Sequence, residues 1–320
     1  MTDQSALTPQ EVADILKIAK NTVYALIRRG ELNAYRVGKK LRIDMNDLEA
    51  YKNRSKNPKH ILPRTESRTT PSSKPNPLLN EDAPQDSGFV ISGQDAMLDI
   101  LSRYLEMHSA DIRTLRSYVG SYNGLYALYQ GKVQAATTHL WDSDTDRYNI
   151  PFVRWMLPGI PAVIVHLACR VQGFYVTNGN PKEIKDWEDL RRSDITIVNR
   201  EKGSGTRVLL DERLRKMNIS PGEIRGYEHE CTSHLAVASA VARGDAHLGM
   251  GNEKTGLQVK GIDFIPLQTE RYELVMKKDD IDKQPFKAII SILRSSEFRA
   301  ELEGIGGYEL KETGNIVAET

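Results

Sequence analysis

The sequence contains 320 residues, which is long for a single hydrophobic core and suits a small domain joined to a larger one. Apolar residues make up 39% and charged residues 27%, which is typical of a water-soluble globular chain and excludes a fibrous or membrane-embedded one. The net charge of +1 is unevenly distributed, because residues 1–60 carry twelve Lys and Arg against seven Asp and Glu. A basic segment on a mildly acidic body is expected when one part of a chain contacts nucleic acid.

Cysteine content and apolar runs exclude further classes. Cys169 and Cys231 have no cysteine partner at short spacing, which argues against a disulfide framework or a cysteine-based metal site. The longest apolar run, near Ala162–Ala168, contains His166 and is too short to span a bilayer. The first twenty residues include acidic side chains and no apolar run typical of an export signal. We therefore expect a cytoplasmic protein without a membrane partner.

Residues 6–53 begin with the pattern of two short helices. Thr8 is an N-cap candidate, Pro9 follows at the first helical position, and Glu11 lies three residues after the cap. These signals predict the start of a first helix. After a short turn, apolar spacing predicts a second helix from about Lys20 to Arg29.

The end of this segment predicts a β-hairpin. Residues 32–43 alternate between apolar and polar side chains, with a basic break at Gly38 and Lys39, and Asp44–Tyr51 predict a last short helix. Two helices followed by a basic hairpin form a winged helix-turn-helix, whose second helix enters the major groove of DNA. The alternative is that these residues are only the solvated face of a small helical domain.

The DNA contacts that we predict come from the exposed positions of the second helix and of the hairpin. They are Lys20, Asn21, Thr22, Tyr24, Arg28, Arg29, Arg36, Lys39, Lys40 and Arg42.

This segment resembles the excisionase-type, MerR-like helix-turn-helix family. The motifs that carry the resemblance are Leu7–Leu16, Thr22–Leu32 and the hairpin strand Tyr35–Lys39. The resemblance implies a double-stranded DNA partner, although a few relatives serve only as protein-interaction modules. Because such heads usually read two-fold operators, we expect a homodimer or a higher homo-oligomer.

Residues 54–86 are rich in Pro, Ser, Thr, Asn and Lys and contain few apolar side chains. Such a segment cannot bury enough apolar surface to offset the entropy of ordering, so we predict a flexible linker here. The domain boundaries that follow are 1–53 for the DNA-binding domain, 54–86 for the linker and 87–320 for the body.

From Gly88 onward, short apolar strands alternate with helical segments, which predicts an α/β sheet flanked by helices. The central motif of this body is Asn199–Arg207, which follows a predicted strand and opens a helix. Gly205 allows close approach of the backbone, and Ser204 and Thr206 supply hydroxyl groups beside the free amides of a helix start. The motif predicts an anion site, or alternatively a plain strand-to-helix turn. It lacks the Gly-Lys-[Ser/Thr] of a P-loop.

Two other turns repeat this chemistry. Ser92, Gly93 and Gln94 stand between a strand and a helix, and Ser121 opens the helix that also carries Tyr122. Three helix starts with small hydroxyl side chains are able to converge on one tetrahedral oxyanion.

The body resembles the cytoplasmic periplasmic-binding-protein-like domains that are related to molybdate- and tungstate-binding proteins and are fused to DNA-binding heads. The resemblance spans residues 88–275. The motifs that carry it are Ser92–Gly93, Gly120–Ser121, Thr138–Asp142, Gly179–Lys182, Asn199–Arg207, Gly226–Glu228 and His234–Ala238.

The resemblance implies a type II periplasmic-binding-protein-like bilobal sensor domain. Lobe 1 would comprise about 87–172 and 267–320, and lobe 2 about 173–266, with chain crossings near Val171–Tyr175 and Ile265–Leu267. It also implies that molybdate or tungstate closes the cleft on Ser92, Ser121, Ser204 and Thr206.

The remaining site candidates are less specific. Thr138, His139 and Asp142 form a polar group, but no nucleophile beside a base and no set of three or four metal ligands is evident. Arg200 and Arg207 would either neutralise the anion or form salt bridges across the lobe. We therefore predict neither an enzyme nor a cofactor.

The sequence as a whole predicts a ligand-responsive transcriptional regulator that senses a small oxyanion. Two alternatives stay open: the same architecture sensing a small organic metabolite, or an excisionase-like architectural DNA-binding protein.

Overall fold

A computed structural model of the chain describes residues 7–28, 32–37, 40–45, 47–48, 51–52, 88–108 and 112–320. The described residues fall into two compact units, which are divided between Ser73 and Lys74. The linker predicted over 54–86 lies outside the described residues.

The smaller unit contains two helices and a hairpin, α1 (Pro9–Leu16), α2 (Lys20–Arg28), β1 (Tyr35–Val37) and β2 (Lys40–Arg42). Helix α1 begins at the predicted capping box, in which Thr8 Oγ1 accepts from the Glu11 amide and a Glu11 carboxylate oxygen accepts from the Thr8 amide at 2.7 Å. Strands β1 and β2 pair antiparallel. The buried side chains of this unit form one core, which includes Val12, Val23, Leu26, Leu32, Ile43 and Leu48.

The larger unit is built around one mixed sheet. Its strands are β3 (Phe89–Ser92), β4 (Thr114–Ser117), β5 (Ala135–Thr138), β6 (Trp141–Asp142), β7 (Arg147–Tyr148), β8 (Ala162–Thr177), β9 (Ile197–Arg200), β10 (Glu230–Cys231), β11 (Leu248–Asn252), β12 (Ile262–Lys277) and β13 (Ile316–Glu319). The helices are α3 (Met97–His108), α4 (Ser121–Tyr129), α5 (Ile150–Met156), α6 (Gly205–Lys216), α7 (His234–Ala242), α8 (Glu253–Gly256), α9 (Gln284–Arg294) and α10 (Ser296–Ile305).

The strand order of the main sheet is β10-β9-β11-β8-β12-β5-β3-β4, and β13 also pairs with β8. Strand β3 is parallel to β4 and β5, and β9 is parallel to β10 and β11. The long strands β8 and β12 pair antiparallel along their length, with a register shift between Pro266 and Gln268. They join a first lobe, which contains β3, β4 and β5, to a second lobe, which contains β9, β10 and β11.

Each lobe has apolar cores on both faces of its part of the sheet, because successive side chains of a strand point to opposite faces. In β8, Val163 and Val165 pack under α3, α9 and α10, while Ile164 packs under α4 and α5. Farther along β8, Phe174 packs under α6 and Tyr175 packs under α7. Burial on both faces explains why β8 is almost continuously apolar.

A hairpin formed by β6 and β7 leaves the first lobe and packs on the second. Trp141 is buried in the core of the second lobe, and its ring lies 4.3 Å from the guanidinium carbon of Arg213. At the turn, the Ser143 hydroxyl donates to Glu212, and Arg215 pairs with Asp144 at 2.7 Å. The hairpin is therefore a third connection between the lobes.

None of the helices in the described parts of the chain is long and apolar enough to cross a bilayer.

Candidate functional site

A small cavity lies between the two lobes, beyond the carboxyl ends of strands β3, β4, β5 and β9. This is the edge at which parallel α/β sheets usually bind ligands. Its volume is about 30 Å³. One water needs about 10–15 Å³ of such volume, so the cavity has room for a small ion and excludes a chain of several carbon atoms. Its principal polar lining residues are Gln94, Asp95, Ser121, His139, Arg170, Arg200, Ser204, His234, Asn252 and Tyr272.

Helix starts supply part of this lining. Helix α4 begins after Gly120, which provides no side-chain cap, and α6 begins after Ser204, whose hydroxyl accepts from the Arg207 amide at 3.2 Å. The first amides of a helix have no partner within the helix and carry its positive dipole end. The amides after Gly120 and Ser204 therefore favour a negatively charged ligand.

Arg170 is the central charged residue of the cavity. It is buried in β8, pairs with Asp95 at 2.6 Å and with Glu270, and lies over the Tyr272 ring with its guanidinium carbon 3.8 Å from the centroid. Burial opposes the charge on Arg170, but Glu270 and Asp95 outweigh it and raise the pKa of the guanidinium. Burial raises the pKa of Glu270, but the positive charge of Arg170 outweighs burial and lowers this pKa to about 2.

Two histidines, His139 and His234, line the cavity. His139 lies with Nδ1 2.6 Å from a carboxylate oxygen of Glu270, which fixes the orientation of its ring. The ring packs so closely on Gly205 that an added Cβ there would lie 2.5 Å from it. Burial lowers the pKa of His234 well below the ordinary value, and the charges of Arg200 and Arg170 act in the same direction. His234 is therefore neutral, and its buried Nδ1 has no hydrogen-bond partner among the described residues.

The lobes contact each other over the cavity. Gln94 of the first lobe accepts a hydrogen bond from Arg200 of the second at 2.8 Å. The Tyr122 amide donates to the Gly203 carbonyl oxygen at 3.0 Å. An added Cβ at Gly120 would lie 2.7 Å from the same oxygen, so glycine allows this approach. The larger unit is thus in a closed arrangement.

Six of the residues predicted from the sequence line the cavity together: Gly93, Gln94, Ser121, Arg200, Ser204 and Gly205. Arg207 does not line it, and pairs instead with Asp211 and Glu230 inside the second lobe, each at 3.0 Å.

The other five predicted ligand residues lie elsewhere. Ser92 faces helix α4, since an added Cβ at Gly124 would lie 2.9 Å from its hydroxyl. Thr138 is buried without a hydrogen-bond partner for its hydroxyl, and Thr206 donates weakly to Gln172 at 3.4 Å. Tyr122 is 46% exposed. Asp142 accepts hydrogen bonds from the Thr145 hydroxyl and the Asp144 amide within the turn that follows β6.

Sequence reasoning missed the central ion pairs of the site. Arg170 and Glu270 are charged residues within long, mostly buried strands, and charged side chains are rarely fully buried unless they are paired. A charged residue within an otherwise apolar strand was therefore the sequence signal that could have identified this ion pair. The described residues hold no group of three or more His, Cys, Asp or Glu side chains that would bind a metal ion.

In the smaller unit, the exposed residues at the start of α2 are Lys20, Asn21, Thr22 and Tyr24. Lys40 is exposed on β2, whereas Arg42 is half-buried and donates to the Leu41 carbonyl oxygen. The side chains of Arg28 and Arg36, and the whole of Arg29 and Lys39, lie outside the described part of the chain.

A two-lobed α/β unit with a polar cavity between its lobes defines the binding-protein class of fold. Residues 102–294 match the family model described as PBP superfamily domain, and residues 6–56 match that described as helix-turn-helix domain. The chain therefore belongs to the PBP superfamily-domain family and carries an N-terminal helix-turn-helix domain. Both predicted domain types and the predicted fold class are confirmed.

Relatives match the chain over different lengths. YvgK of Bacillus subtilis (strain 168), an uncharacterised protein, is 41% identical over 320 residues, which cover 100% of both chains. An uncharacterised Clostridium pasteurianum protein, from the region 5' of a ferredoxin gene, is 62% identical over 112 residues, 35% of this chain and 99% of that one.

Among solved structures, a candidate phosphate ABC transporter substrate-binding protein from Clostridium perfringens, with bound phosphate, is similar in fold. Its TM-score is 0.53 at 14% identity, and the match covers 70% of this chain and 100% of that one. A helix-turn-helix domain joined to a binding-protein-like domain is the organisation of a ligand-responsive DNA-binding regulator.

Proposed function

We propose that this protein is a DNA-binding transcriptional regulator that senses a small tetrahedral oxyanion in the cavity between its lobes. The observation that carries the proposal is the small cavity itself, which combines two helix starts with the buried arginines Arg170 and Arg200. A regulator of this kind acts in the cytoplasm, where the DNA is. Its two domains are of binding types, and catalysis forms no part of the proposal.

The groups around the cavity favour an anion that accepts hydrogen bonds from the protein and donates none. Asp95 already accepts from Arg170, from the Tyr308 hydroxyl and from the Met97 amide. Glu270 is likewise occupied by Arg170 and His139. Because both carboxylates already accept hydrogen bonds from the protein, the ligand does not have to be protonated in order to lie beside them. Molybdate and tungstate are fully deprotonated tetrahedral ions near neutral pH, and the sequence resemblance points to the same two.

Calorimetry on the full chain tests this proposal with molybdate, tungstate, sulfate and phosphate. We expect molybdate and tungstate to bind most tightly. Arg200→Met removes a charge-assisted donor and is expected to weaken binding at least about tenfold. Arg243→Met removes an exposed arginine of the same lobe and serves as the matched control. Absence of binding by all four ions would exclude a free inorganic oxyanion as the ligand.

DNA recognition by the smaller unit is the second part of the proposal. The exposed start of α2 and the basic strand β2 support major-groove and backbone contacts by Lys20, Asn21, Thr22, Tyr24 and Lys40. Selection from random duplexes with the purified protein would identify the site. A palindromic site together with a dimer in sedimentation would support the predicted homodimer, whereas a monomer on a single half-site would refute it.

A small organic metabolite is the second candidate ligand. A groove of about 450 Å³ adjoins the cavity and shares Gln94, Asp95, His234 and Asn252 with it. That volume lies within the range of small-molecule sites, about 300–1,000 Å³. A ligand that occupied both spaces would be larger than a free oxyanion.

A further inference from the structure

The space beside the cavity has polar chemistry of its own. We call it the outer groove, and define it by Tyr118, Ser233, Leu235, Lys254, Thr255 and Gln258. It lies against the starts of helices α7 and α8, which also reach the cavity through His234 and Asn252.

Among the described residues that line the outer groove, Lys254 is the only lysine or arginine. Its ammonium group donates to the Tyr308 hydroxyl at 2.7 Å and lies 4.0 Å from the centroid of that ring. Among the described residues it has no carboxylate in ion-pair contact, and two of its three N–H donors are left over. A half-buried ammonium without a counter-ion is unfavourable, which points to an anionic partner that comes with the ligand.

The other groups that face the outer groove favour the same charge. Helix α7 begins beside it, and the Ser233 hydroxyl caps this helix by accepting from the Ala236 amide at 3.1 Å. His234, in the first turn, holds the buried and unpartnered Nδ1 described above. Burial lowers the pKa of Lys254, Asp95 opposes this shift, and the charge of Arg170 acts in the same direction as burial. An anion beside Lys254 would reverse that shift.

A chain of hydrogen bonds connects the two spaces. Lys254 donates to Tyr308, Tyr308 donates to Asp95 at 2.5 Å, and Asp95 accepts from Arg170 at 2.6 Å. Asp95, the one acidic side chain among the described residues of the outer groove, is therefore occupied. It does not compete for a ligand at Lys254.

We propose that the outer groove is a second anion subsite, in which Lys254 binds the carboxylate of a small organic acid whose tetrahedral oxyanion end occupies the cavity. This inference rests on the proposed anion site and assigns its ligand class: a short acid with an oxyanion at one end and a carboxylate at the other.

Calorimetry with paired probes tests the inference. The probes are ω-phosphonocarboxylates with one, two or three methylene groups between the ends, each compared with the alkylphosphonate of equal length that lacks the carboxylate. We expect at least one phosphonocarboxylate to bind about tenfold or more tightly than its partner, as a charge-assisted hydrogen bond provides. Lys254→Met is expected to bring this ratio close to one and to leave alkylphosphonate binding within about twofold. Lys254→Arg, which keeps the charge, should retain a preference.

Lys260→Met is the matched control, since Lys260 is an exposed lysine of the same lobe that does not line the groove. Thermal unfolding of each variant verifies that it is folded. A ratio near one in the natural protein, or a ratio that Lys254→Met leaves unchanged, overturns the second subsite even if inorganic oxyanions bind. A Lys254-dependent ratio without binding of any inorganic oxyanion supports the subsite and refutes the free-ion ligand. Absence of binding by every probe and every inorganic ion refutes both proposals.

Discussion

Replacement of Arg170 by Met is expected to destabilise the larger unit strongly. The substitution leaves Asp95 and Glu270 buried without the guanidinium that both contact. Breaking a buried ion pair by removing one partner costs about 3–5 kcal/mol. The pKa of Glu270, lowered from 4.5 to about 2, corresponds to about 3 kcal/mol, which agrees with the lower end of that range.

The pH dependence gives this prediction a direction. The folded-state pKa of Glu270 is lowered, so its contribution to stability is fully present above the ordinary value of 4.5 and is lost as the pH falls towards about 2. Asp95 shifts in the same direction, since Arg170, Tyr308 and the Met97 amide outweigh the effect of burial on its pKa. The stability difference between the natural protein and Arg170→Met is therefore expected to be largest at neutral pH and to shrink below about pH 4.5.

The assay is calorimetric unfolding of the full chain at several pH values, following the transition of the larger unit. The double variant Arg170→Met/Glu270→Gln should recover about 1–3 kcal/mol relative to the sum of the single changes, because contacting residues are coupled. Arg243→Met, at an exposed arginine, should change stability by less than about 1 kcal/mol. A loss below about 1 kcal/mol for Arg170→Met, or strict additivity in the double variant, would refute the reasoning.

Three further predictions concern separate elements. Thr8→Ala removes the cap of α1 and is expected to lower the Tm of the smaller unit by about 4–8 °C, measured by circular dichroism; an unchanged Tm would show that the capping box is dispensable. Gly205→Ala places a methyl group against the His139 ring and should weaken oxyanion binding in calorimetry, whereas unchanged affinity would show that this ring is free to move. Lys20→Ala should reduce the salt slope of DNA binding in fluorescence anisotropy by about one, and an unchanged slope would remove Lys20 from the phosphate contacts.

Local features of the fold were predictable because they depend on neighbouring residues. The Thr8 cap and the hairpin strands follow from short motifs. The segments Leu128–Ala136 and Val241–Gly249 have similar sequences, and each ends a helix, turns at a glycine with positive φ and continues into a strand. The predicted helix starts at Gly120 and Ser204 also line the cavity. They do so because the carboxyl ends of parallel strands lie at the same edge of a sheet.

The charged centre of the site depends on pairing between distant strands. Arg170 and Glu270 are direct neighbours in the register of β8 and β12, a register that shifts between Pro266 and Gln268. No local pattern fixes such a register or its irregularity. Side-chain direction was a second source of error, since Ser92 ends a strand beside the cavity but faces helix α4.

The hairpin of β6 and β7 has a mechanical consequence. Two strands alone would form a hinge with a wide range of rotation, but Trp141 holds a third chain segment in the core of the second lobe. Withdrawal of an indole of about 150–250 Å² from that core would cost about 4–6 kcal/mol. We therefore expect wide opening to be rare and a bound ligand to exchange slowly with solvent. A regulator of this kind would respond to the sustained level of its ligand and average out brief fluctuations.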